Sequence, residues 1–224
     1  CAEKSDITVL SWASSVLNPD LIEQLAGAIG TEAGLIEKDW YVTRALGVLA
    51  SIQHELIQPI FSGGTSLSKG WGLIKRFSED IDFKVIGNVE RRVRRTYREQ
   101  VITTLQNSGF ELQGEPIVRD SGNFFSVNFG YPSQFPIGPG LRPHLRVEMS
   151  FRPPALPSIA RPLRSIIGQA LQTEIEVAEF PCVDPVETAA DKLSALAWRV
   201  CTRQRGSKDD DATVIRHLHD LAAL

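Results

Sequence analysis

The residues best suited to chemistry lie in one stretch, 61–85, which reads FSGGTSLSKGWGLIKRFSEDIDFKV. Near its end, Asp80 and Asp82 are two residues apart in a segment with the alternation of a β-strand. Side chains alternate between the faces of a strand, so both carboxylates should point the same way, while Ile81 and Phe83 point into the core. Paired carboxylates suit a hard cation such as Mg²⁺ or Mn²⁺. The spacing therefore predicts a metal site on this strand.

The same stretch begins with a predicted phosphate site. A strand end is followed by Gly63 and Gly64 and then by a helix opening on Thr65 and Ser66. Unpaired N–H groups at a helix N-terminus, together with hydroxyl groups, favour bound phosphate. Lys69 falls on the phosphate-facing side by helical spacing, and Arg76 is placed to pair with Asp80 or with a triphosphate. The alternatives are an ordinary glycine turn and a solvent-exposed lysine.

A third carboxylate is predicted on a later strand of the same sheet. The segment LRVEMSF alternates polar Arg146, Glu148 and Ser150 with apolar residues. Glu148 would complete a two-metal site with Asp80 and Asp82. Its alternative role is that of a surface charge or a partner of Arg146.

Composition limits the class of protein. The chain has 224 residues and a formal net charge of −3, which argues against a protein that coats nucleic acid through bulk positive charge. Three widely spaced cysteines favour reduced thiols over a disulfide framework or a zinc ribbon. No apolar run approaches the length of a membrane span, and no secretory pattern opens the chain. We expect a cytoplasmic protein without membrane contact.

The periodicity predicts an α/β fold with a mixed, twisted sheet of about five strands and helices at both ends. We expect three parts packed as one unit: an N-terminal helical segment 1–55, a core 56–181 and a C-terminal helical segment 182–224. Predicted helices cover 19–53, broken near 30–34, and 89–108, and further helices follow Asp184 and the acidic run at 209–211. Predicted strands cover 56–61, 110–112, 124–131, 145–151 and 173–180, besides the one carrying Asp80. Apolar residues of the last two helices, including Leu193, Ile215 and Leu218, are expected to face the core.

Two charged clusters have competing interpretations. Glu37, Lys38 and Asp39 are interpreted as the charged first turn of a helix, with acids at its positive end. On the helix 89–108, five arginines fall within eight residues and form a patch able to hold the phosphates of a polynucleotide, although a solvated basic face is the commoner meaning. The patch consists of Arg91, Arg92, Arg94, Arg95 and Arg98.

The order Gly-Gly-Thr-Ser, helix, Asp-x-Asp resembles the polymerase-beta-like nucleotidyltransferases. GGTSLSK with RFSEDIDF resembles, more narrowly, the AbiEii/AbiGii family, MenT-like nucleotidyltransferases of bacterial type IV toxin–antitoxin pairs. IEKDWYVTRAL, DKLSALAWR and HDLAAL resemble further motifs of that family, so the resemblance covers roughly residues 36–224. It implies that Lys192 lies over the nucleotide and that Asp220 reaches the active site. The residues around Asp220 differ from the commoner sequence of this family motif.

The resemblance implies a growth-arresting toxin that transfers a nucleoside monophosphate from an NTP to an acceptor. The acceptor in some members is the 3′ end of tRNA, and the genetic partner would be an antitoxin. Two Mg²⁺ ions on Asp80, Asp82 and Glu148 would bring the nucleophile and the α-phosphate together. Other possibilities are a kinase or an aminoglycoside-type nucleotidyltransferase on the same fold, and a catalytically silent nucleotide-binding module.

Overall fold

A computed structural model of the chain describes residues 17–138, 141–202, 204, 206 and 214–224. The first described helices are α1 (Pro19–Ile29) and α2 (Ala33–Ala50). Asn18 caps α1 by accepting a hydrogen bond from the Asp20 N–H group at 3.0 Å, and Gly30 ends it with a left-handed backbone at φ 70°. The predicted break between two N-terminal helices is therefore confirmed.

The centre of the molecule is one mixed sheet of seven strands in the described part of the chain. The strands run in the order β3-β4-β5-β2-β1-β7-β6. In chain order they are β1 (Gln58–Ser62), β2 (Asp80–Ile86), β3 (Glu111–Arg119), β4 (Phe124–Gly130), β5 (Leu145–Ser150), β6 (Ile159–Leu163) and β7 (Val177–Cys182). The pairs β2–β5 and β1–β7 are parallel, and the other neighbours are antiparallel.

The remaining helices connect and cover these strands. They are α3 (Gly63–Lys69), α4 (Arg91–Asn107), α5 (Ile166–Ala170), α6 (Pro185–Thr202) and α7 (Ile215–Ala223). A short 3-10 turn (Asp120–Gly122) joins β3 to β4. The Asp184 side chain accepts a hydrogen bond from the Val186 N–H group at 2.8 Å, which fits the predicted cap of α6.

One face of the sheet is covered by a hydrophobic core. The buried stripe of α4 (Tyr97, Val101, Leu105) joins residues of α2 and the inward side chains of the central strands in one cluster. Phe83 and Phe180 stack within it, with ring centroids 5.6 Å apart. Because strand side chains alternate, covering this face leaves Asp80, Asp82 and Glu148 on the other one.

The sheet is larger than expected. Strand β6 and helix α5 were not predicted, because β6 lies in a proline-rich segment and contains Pro162. Proline is tolerated there because β6 is an edge strand, where a missing N–H donor breaks no ladder hydrogen bond. The other edge strand, β3, extends well past its predicted end at 112, and a register shift between Gln113 and Ile117 accommodates Pro116.

The two C-terminal helices turn different faces inward from those predicted. In α6 the buried residues are Glu187, Thr188 and Lys192, while Leu193 is 58% exposed. In α7 Asp220 is fully buried, and Ile215 and Leu218 are exposed. The expectation that the apolar residues face the core is therefore wrong, because polar contacts orient both helices.

Among the described residues, no helix has both the length and the apolar character needed to cross a bilayer.

Candidate active site

Three carboxylates meet where β1, β2 and β5 lie side by side. Asp82 is directly opposite Glu148 in the parallel register of β2 with β5. On its other side Asp82 is opposite Ser62, the last residue of β1. Asp80 is one pleat away on the same face of β2. The sheet thus brings together the three acids predicted from the sequence, although positions 80 and 148 are 68 residues apart in the chain.

The turn from β1 into α3 is packed directly against these acids. Gly63 has φ +74°, a conformation that side chains rarely adopt, and a Cβ atom on it would lie 2.2 Å from Oδ2 of Asp82. Gly64 approaches Arg76 and Ser78, whose side-chain atoms would lie 3.0 and 2.9 Å from an added Cβ. Glycine is required at 63 because backbone and carboxylate approach each other too closely for a side chain.

Mutual repulsion marks the acids as a site rather than a set of surface charges. Burial and the neighbouring charges of Asp80 and Glu148 raise the pKa of Asp82 to about 8. Arg142 forms an ion pair with Asp80, and the Arg146 guanidinium lies 3.7 Å from Glu148. The Ser126 hydroxyl donates to Glu148 at 3.1 Å. Glu148 thus has the Arg146 neighbour expected in the alternative interpretation, and it also faces Asp82.

A cationic cluster forms the opposite wall. Arg76 binds Asp220 through two hydrogen bonds of 2.6 Å, and the Lys192 ammonium lies 2.8 Å from the same carboxylate. Burial alone would raise the pKa of Asp220, but the hydrogen bonds from Arg76 and Lys192 outweigh it and hold the pKa below its ordinary value. Asp220 therefore stays ionised and fixes two cations at the edge of the cleft.

Acidic and cationic walls enclose a cleft of about 640 Å³. Its size is within the range of small-molecule sites. Its lining includes the turn residues Ser62, Gly63, Gly64 and Ser78, the acids Asp80, Asp82, Glu148 and Asp191, the cations Arg76, Arg142, Arg146, Lys192, Arg199 and Arg216, and Phe124 and His217.

Several lining residues were not predicted as site residues. Arg142 comes from the proline-rich connector between β4 and β5, and Arg216 and His217 come from α7. The side chain of Glu79, next to Asp80, accepts a hydrogen bond from the Arg142 N–H group at 3.0 Å. Such long-range contacts leave no periodic signal in the sequence.

The donor atoms of the acid cluster fit a divalent cation in kind, because Asp80, Asp82 and Glu148 offer only carboxylate oxygens on a shared face. The cluster is not preassembled: within the described residues no group of three or more His, Cys, Asp or Glu side chains is arranged to hold a metal ion. Asp80 and Glu148 instead face arginines.

Three residues predicted to hold phosphate lie outside this lining. The Thr65 hydroxyl is buried and donates to Ser78 Oγ at 2.9 Å. The Ser66 hydroxyl is also buried, beside the Cys182 thiol, whose pKa is raised by burial to about 11. Helix α3 begins at Gly63 rather than Thr65, which turns both hydroxyls inward. Of the four residues Gly63 to Ser66 predicted to hold phosphate, only Gly63 and Gly64 line the cleft.

Lys69 also differs from its prediction. Its ammonium donates to Asp39 Oδ1 at 2.6 Å and to Thr43 Oγ1 at 2.8 Å, both in α2. Asp39 in turn accepts from the Ile166 N–H group at 2.6 Å. Lys69 therefore ties α3 to α2, away from the acids on β2.

The interpretation of Glu37, Lys38 and Asp39 as the charged first turn of a helix is wrong, because α2 begins at Ala33 and all three residues are buried in its second turn. Lys38 forms an ion pair with Glu79 and donates to the Arg142 carbonyl oxygen at 2.5 Å. Burial lowers the pKa of Lys38, and the hydrogen bond from its ammonium to Glu79 opposes that change. Glu37 accepts from the Ser133 hydroxyl at 2.6 Å and the Gln134 N–H group at 2.7 Å. This network anchors the connector that carries Arg142.

The five arginines lie within the first eight residues of α4. They border a separate depression of about 570 Å³ together with Glu99, Val118 and Gly122. Arg95 forms an exposed ion pair of 2.8 Å with Glu99.

Comparisons with known proteins identify the fold and the family. A solved structure of MenT4, a nucleotidyltransferase toxin from Mycobacterium tuberculosis H37Rv, superposes with a TM-score of 0.53 at 23% sequence identity. The match covers 81% of this chain and 59% of the MenT4 chain, so it establishes the shared fold. No curated protein sequence matches. Residues 44–224 match the family described as nucleotidyl transferase AbiEii toxin, type IV toxin–antitoxin system. This chain, with its acid cluster facing a glycine turn, therefore belongs to the AbiEii nucleotidyl transferase toxin family.

Proposed function

We propose that the protein transfers a nucleoside monophosphate from an NTP to an acceptor hydroxyl. The acceptor oxygen forms a bond to the α-phosphorus as the bond to the pyrophosphate oxygen breaks, and the acceptor proton is released. The observation that carries this proposal is the register of Asp82 with Glu148, directly beside the Gly63 turn. Family membership supports the same reaction.

In this scheme Asp80, Asp82 and Glu148 would hold Mg²⁺ or Mn²⁺. When bound, the metal supplies charge neutralisation and orientation at the α-phosphate. The Gly63–Gly64 turn leaves room for the β- and γ-phosphates against the backbone. Lys192 and Arg76, both fixed by Asp220, would bind the non-bridging phosphate oxygens.

We further propose that the acceptor is an RNA 3′ end, that of tRNA, and that its modification blocks translation and growth. A cognate antitoxin would counter the toxin, with or without direct contact. This finer proposal is supported by membership in a toxin family.

The test is to incubate the purified protein with each α-³²P-labelled NTP, Mg²⁺ and total RNA. We expect label in RNA of tRNA size, with the equimolar release of pyrophosphate. Asp80→Asn and Asp82→Asn should each reduce the rate at least about 10³-fold, whereas the exposed Glu23→Gln control should match wild type. Retained activity in either aspartate variant would contradict the acid cluster as the site.

The same assay, with added arms that contain an aminoglycoside or γ-labelled NTP, separates the alternatives. Label found only on a small molecule would indicate an aminoglycoside-type enzyme, and transfer of label only from γ-labelled NTP would indicate a kinase. NTP binding without any transfer would indicate a silent nucleotide-binding module.

A further inference from the structure

The arginine patch on α4 is unfavourable for the helix that carries it. All five cations lie in the first eight residues of the helix, and Arg91, Arg92 and Arg94 lie in its first turn, at the positive end of the helix dipole, where acids are normally favoured. The first turn contains no acid, and the N-cap residue Glu90 makes no side-chain capping bond. Neither capping nor the helix dipole compensates these cations, and an external anion bound at the patch would do so.

Most of the positive charge is available to a ligand. Arg94 is engaged: it donates to the Val89 carbonyl oxygen and stacks over Phe151 at 5.8 Å. Arg91, Arg92 and Arg98 form no ion pair within the described residues. Arg91, Arg95 and Arg98 fall on one face of the helix by their spacing and span roughly 10 Å along it. A ligand with several linked anionic groups fits this row better than a single phosphate does.

The patch borders the turn and the strand that lead into the proposed active site. A Cβ atom on Gly122, in the 3-10 turn, would lie 3.8 Å from both Arg91 and Arg94. Two residues further on, Phe124 lines the cleft. Phe124 is directly opposite Ser150 on β5, and Ser150 is two residues from Glu148 on the same face. The 3-10 turn and the start of β4 therefore connect the basic helix to the strands that carry the acid cluster.

Phe124 is an unusual residue for this position. It is half-buried on the cleft face of β4, in line with Ser126 and next to the row that holds Glu148. An aromatic ring that is partly open beside a run of cations is the arrangement that stacks the bases of single-stranded nucleic acid. Apolar packing alone would place the ring on the core face with Phe125.

We propose that the α4 arginines and Phe124 form an acceptor track. The backbone of a single-stranded polynucleotide crosses Arg91, Arg95 and Arg98, passes the 3-10 turn, and presents a base near its 3′ end to Phe124. The terminal hydroxyl then lies next to the acid cluster. This inference rests on the proposed nucleotidyl transfer and adds where its acceptor binds.

The first test measures the binding of a fluorescent single-stranded RNA 12-mer with a free 3′ hydroxyl, by anisotropy at several salt concentrations. Replacing three arginines together, Arg91→Gln, Arg95→Gln and Arg98→Gln, should weaken binding at least about tenfold. It should also lower the slope of log K against log salt by about 2, since each single-strand phosphate contact contributes about 0.7. An unchanged slope would overturn the track.

The matched control changes net charge equally on the same helix. Gln100→Glu, Thr103→Glu and Asn107→Glu together also lower the net charge by three, on exposed positions of another face. This triple variant should bind the RNA within about twofold of wild type. Equal weakening by both triple variants would mean a general field effect and would overturn the track.

The second test addresses Phe124. Phe124→Leu keeps an apolar side chain but removes the ring, and it should raise the KM for the RNA acceptor about tenfold, whereas Phe124→Tyr should restore it. The rise in melting temperature caused by NTP and Mg²⁺ should persist in both variants. If wild type shows that rise and transfers label to RNA while Phe124→Leu is unaffected, the track is wrong and nucleotidyl transfer stands. If wild type neither binds NTP nor transfers label, the proposed function itself fails.

Discussion

Asp82 shows how burying one acid beside two others costs stability. Its pKa in the folded protein is about 8, well above the value of 3.8 for a free side chain, because it is buried beside Asp80 and Glu148. The folded protein therefore holds a proton that the unfolded chain releases between these two pH values. The free energy of unfolding contributed by this group must fall as pH rises from about 4 to about 8.

We predict that Asp82→Asn stabilises the metal-free protein at alkaline pH, because the amide cannot acquire the unfavourable charge. In EDTA at pH 8.5 the melting temperature should rise by about 2–4 °C, equivalent to about 1 kcal/mol, and the gain should shrink towards pH 5. Differential scanning fluorimetry across this range measures it.

The exposed Glu23→Gln variant is the control and should show no such pH-dependent gain. Adding Mg²⁺ should raise the melting temperature of wild type but not that of Asp82→Asn. A melting temperature for Asp82→Asn below that of wild type at pH 8.5 would contradict the predicted repulsion.

At the scale of elements, buried ion pairs connect helices that sequence analysis treats as independent. Lys69 and Asp39 join α3 to α2, with side chains only 4% and 7% exposed. Lys38 and Glu79 join α2 to the segment before β2. Removing one member of such a pair leaves an uncompensated charge, which is more costly than the pair is favourable.

We predict that Lys69→Met destabilises the protein by about 3 kcal/mol while leaving NTP affinity within twofold of wild type. Lys192→Met should weaken NTP binding about tenfold, because Lys192 lines the cleft, and should destabilise the protein less than Lys69→Met, because Arg76 still pairs with Asp220. Urea denaturation and calorimetric NTP titration measure the two quantities.

Restoring the charge balance offers a check on this interpretation. The double variant Lys69→Met with Asp39→Asn should be less destabilised than the sum of its single changes. Each single change leaves one buried charge without its partner, whereas the double variant leaves none. Loss of NTP affinity in Lys69→Met at unchanged stability would instead support the direct phosphate contact expected from the sequence.

At the scale of the whole molecule, the cleft depends on docking of the C-terminal helix. Fully buried Asp220 links α7 to Arg76, which precedes β2, and to Lys192 on α6. The apolar residues Ile215 and Leu218 of α7 are exposed, so hydrophobic burial contributes little to this docking.

We predict that Asp220→Asn loosens α7 selectively. Hydrogen exchange in 215–223 should accelerate about tenfold or more, while exchange in β2 and β5 changes little, because those strands are held by the sheet. Mass spectrometry of the exchanged peptides measures it. Ala222→Ser, an exposed change on the same helix, should leave the exchange unaltered, and unchanged protection in Asp220→Asn would show that α7 is held by other contacts.

How much of the molecule was predictable depends on the range of the interactions. The break at Gly30, the cap at Asn18 and the alternation around Asp80 and Asp82 are local, and the sequence predicted them. The presence of Glu148 on the same sheet followed from its strand pattern, although its register opposite Asp82 did not.

Features that depend on distant partners were missed. The inward face of α7 is set by Arg76 and Lys192, and the burial of Lys38 is set by Glu79, 41 residues away. Strand β6 was missed because proline has a low β-strand propensity. Proline is nevertheless tolerated in β6, which lies at the edge of the sheet.

The parallel pairing of Phe61 on β1 with Cys182 on β7 has a consequence for biosynthesis. Strand β1 and the glycine turn leave the ribosome before β7, α6 and α7 are made. At 5–20 residues per second, synthesis of the intervening segment takes roughly 6–25 s. A nascent chain that does not yet contain Lys192 and Asp220 therefore cannot assemble the cleft during this interval.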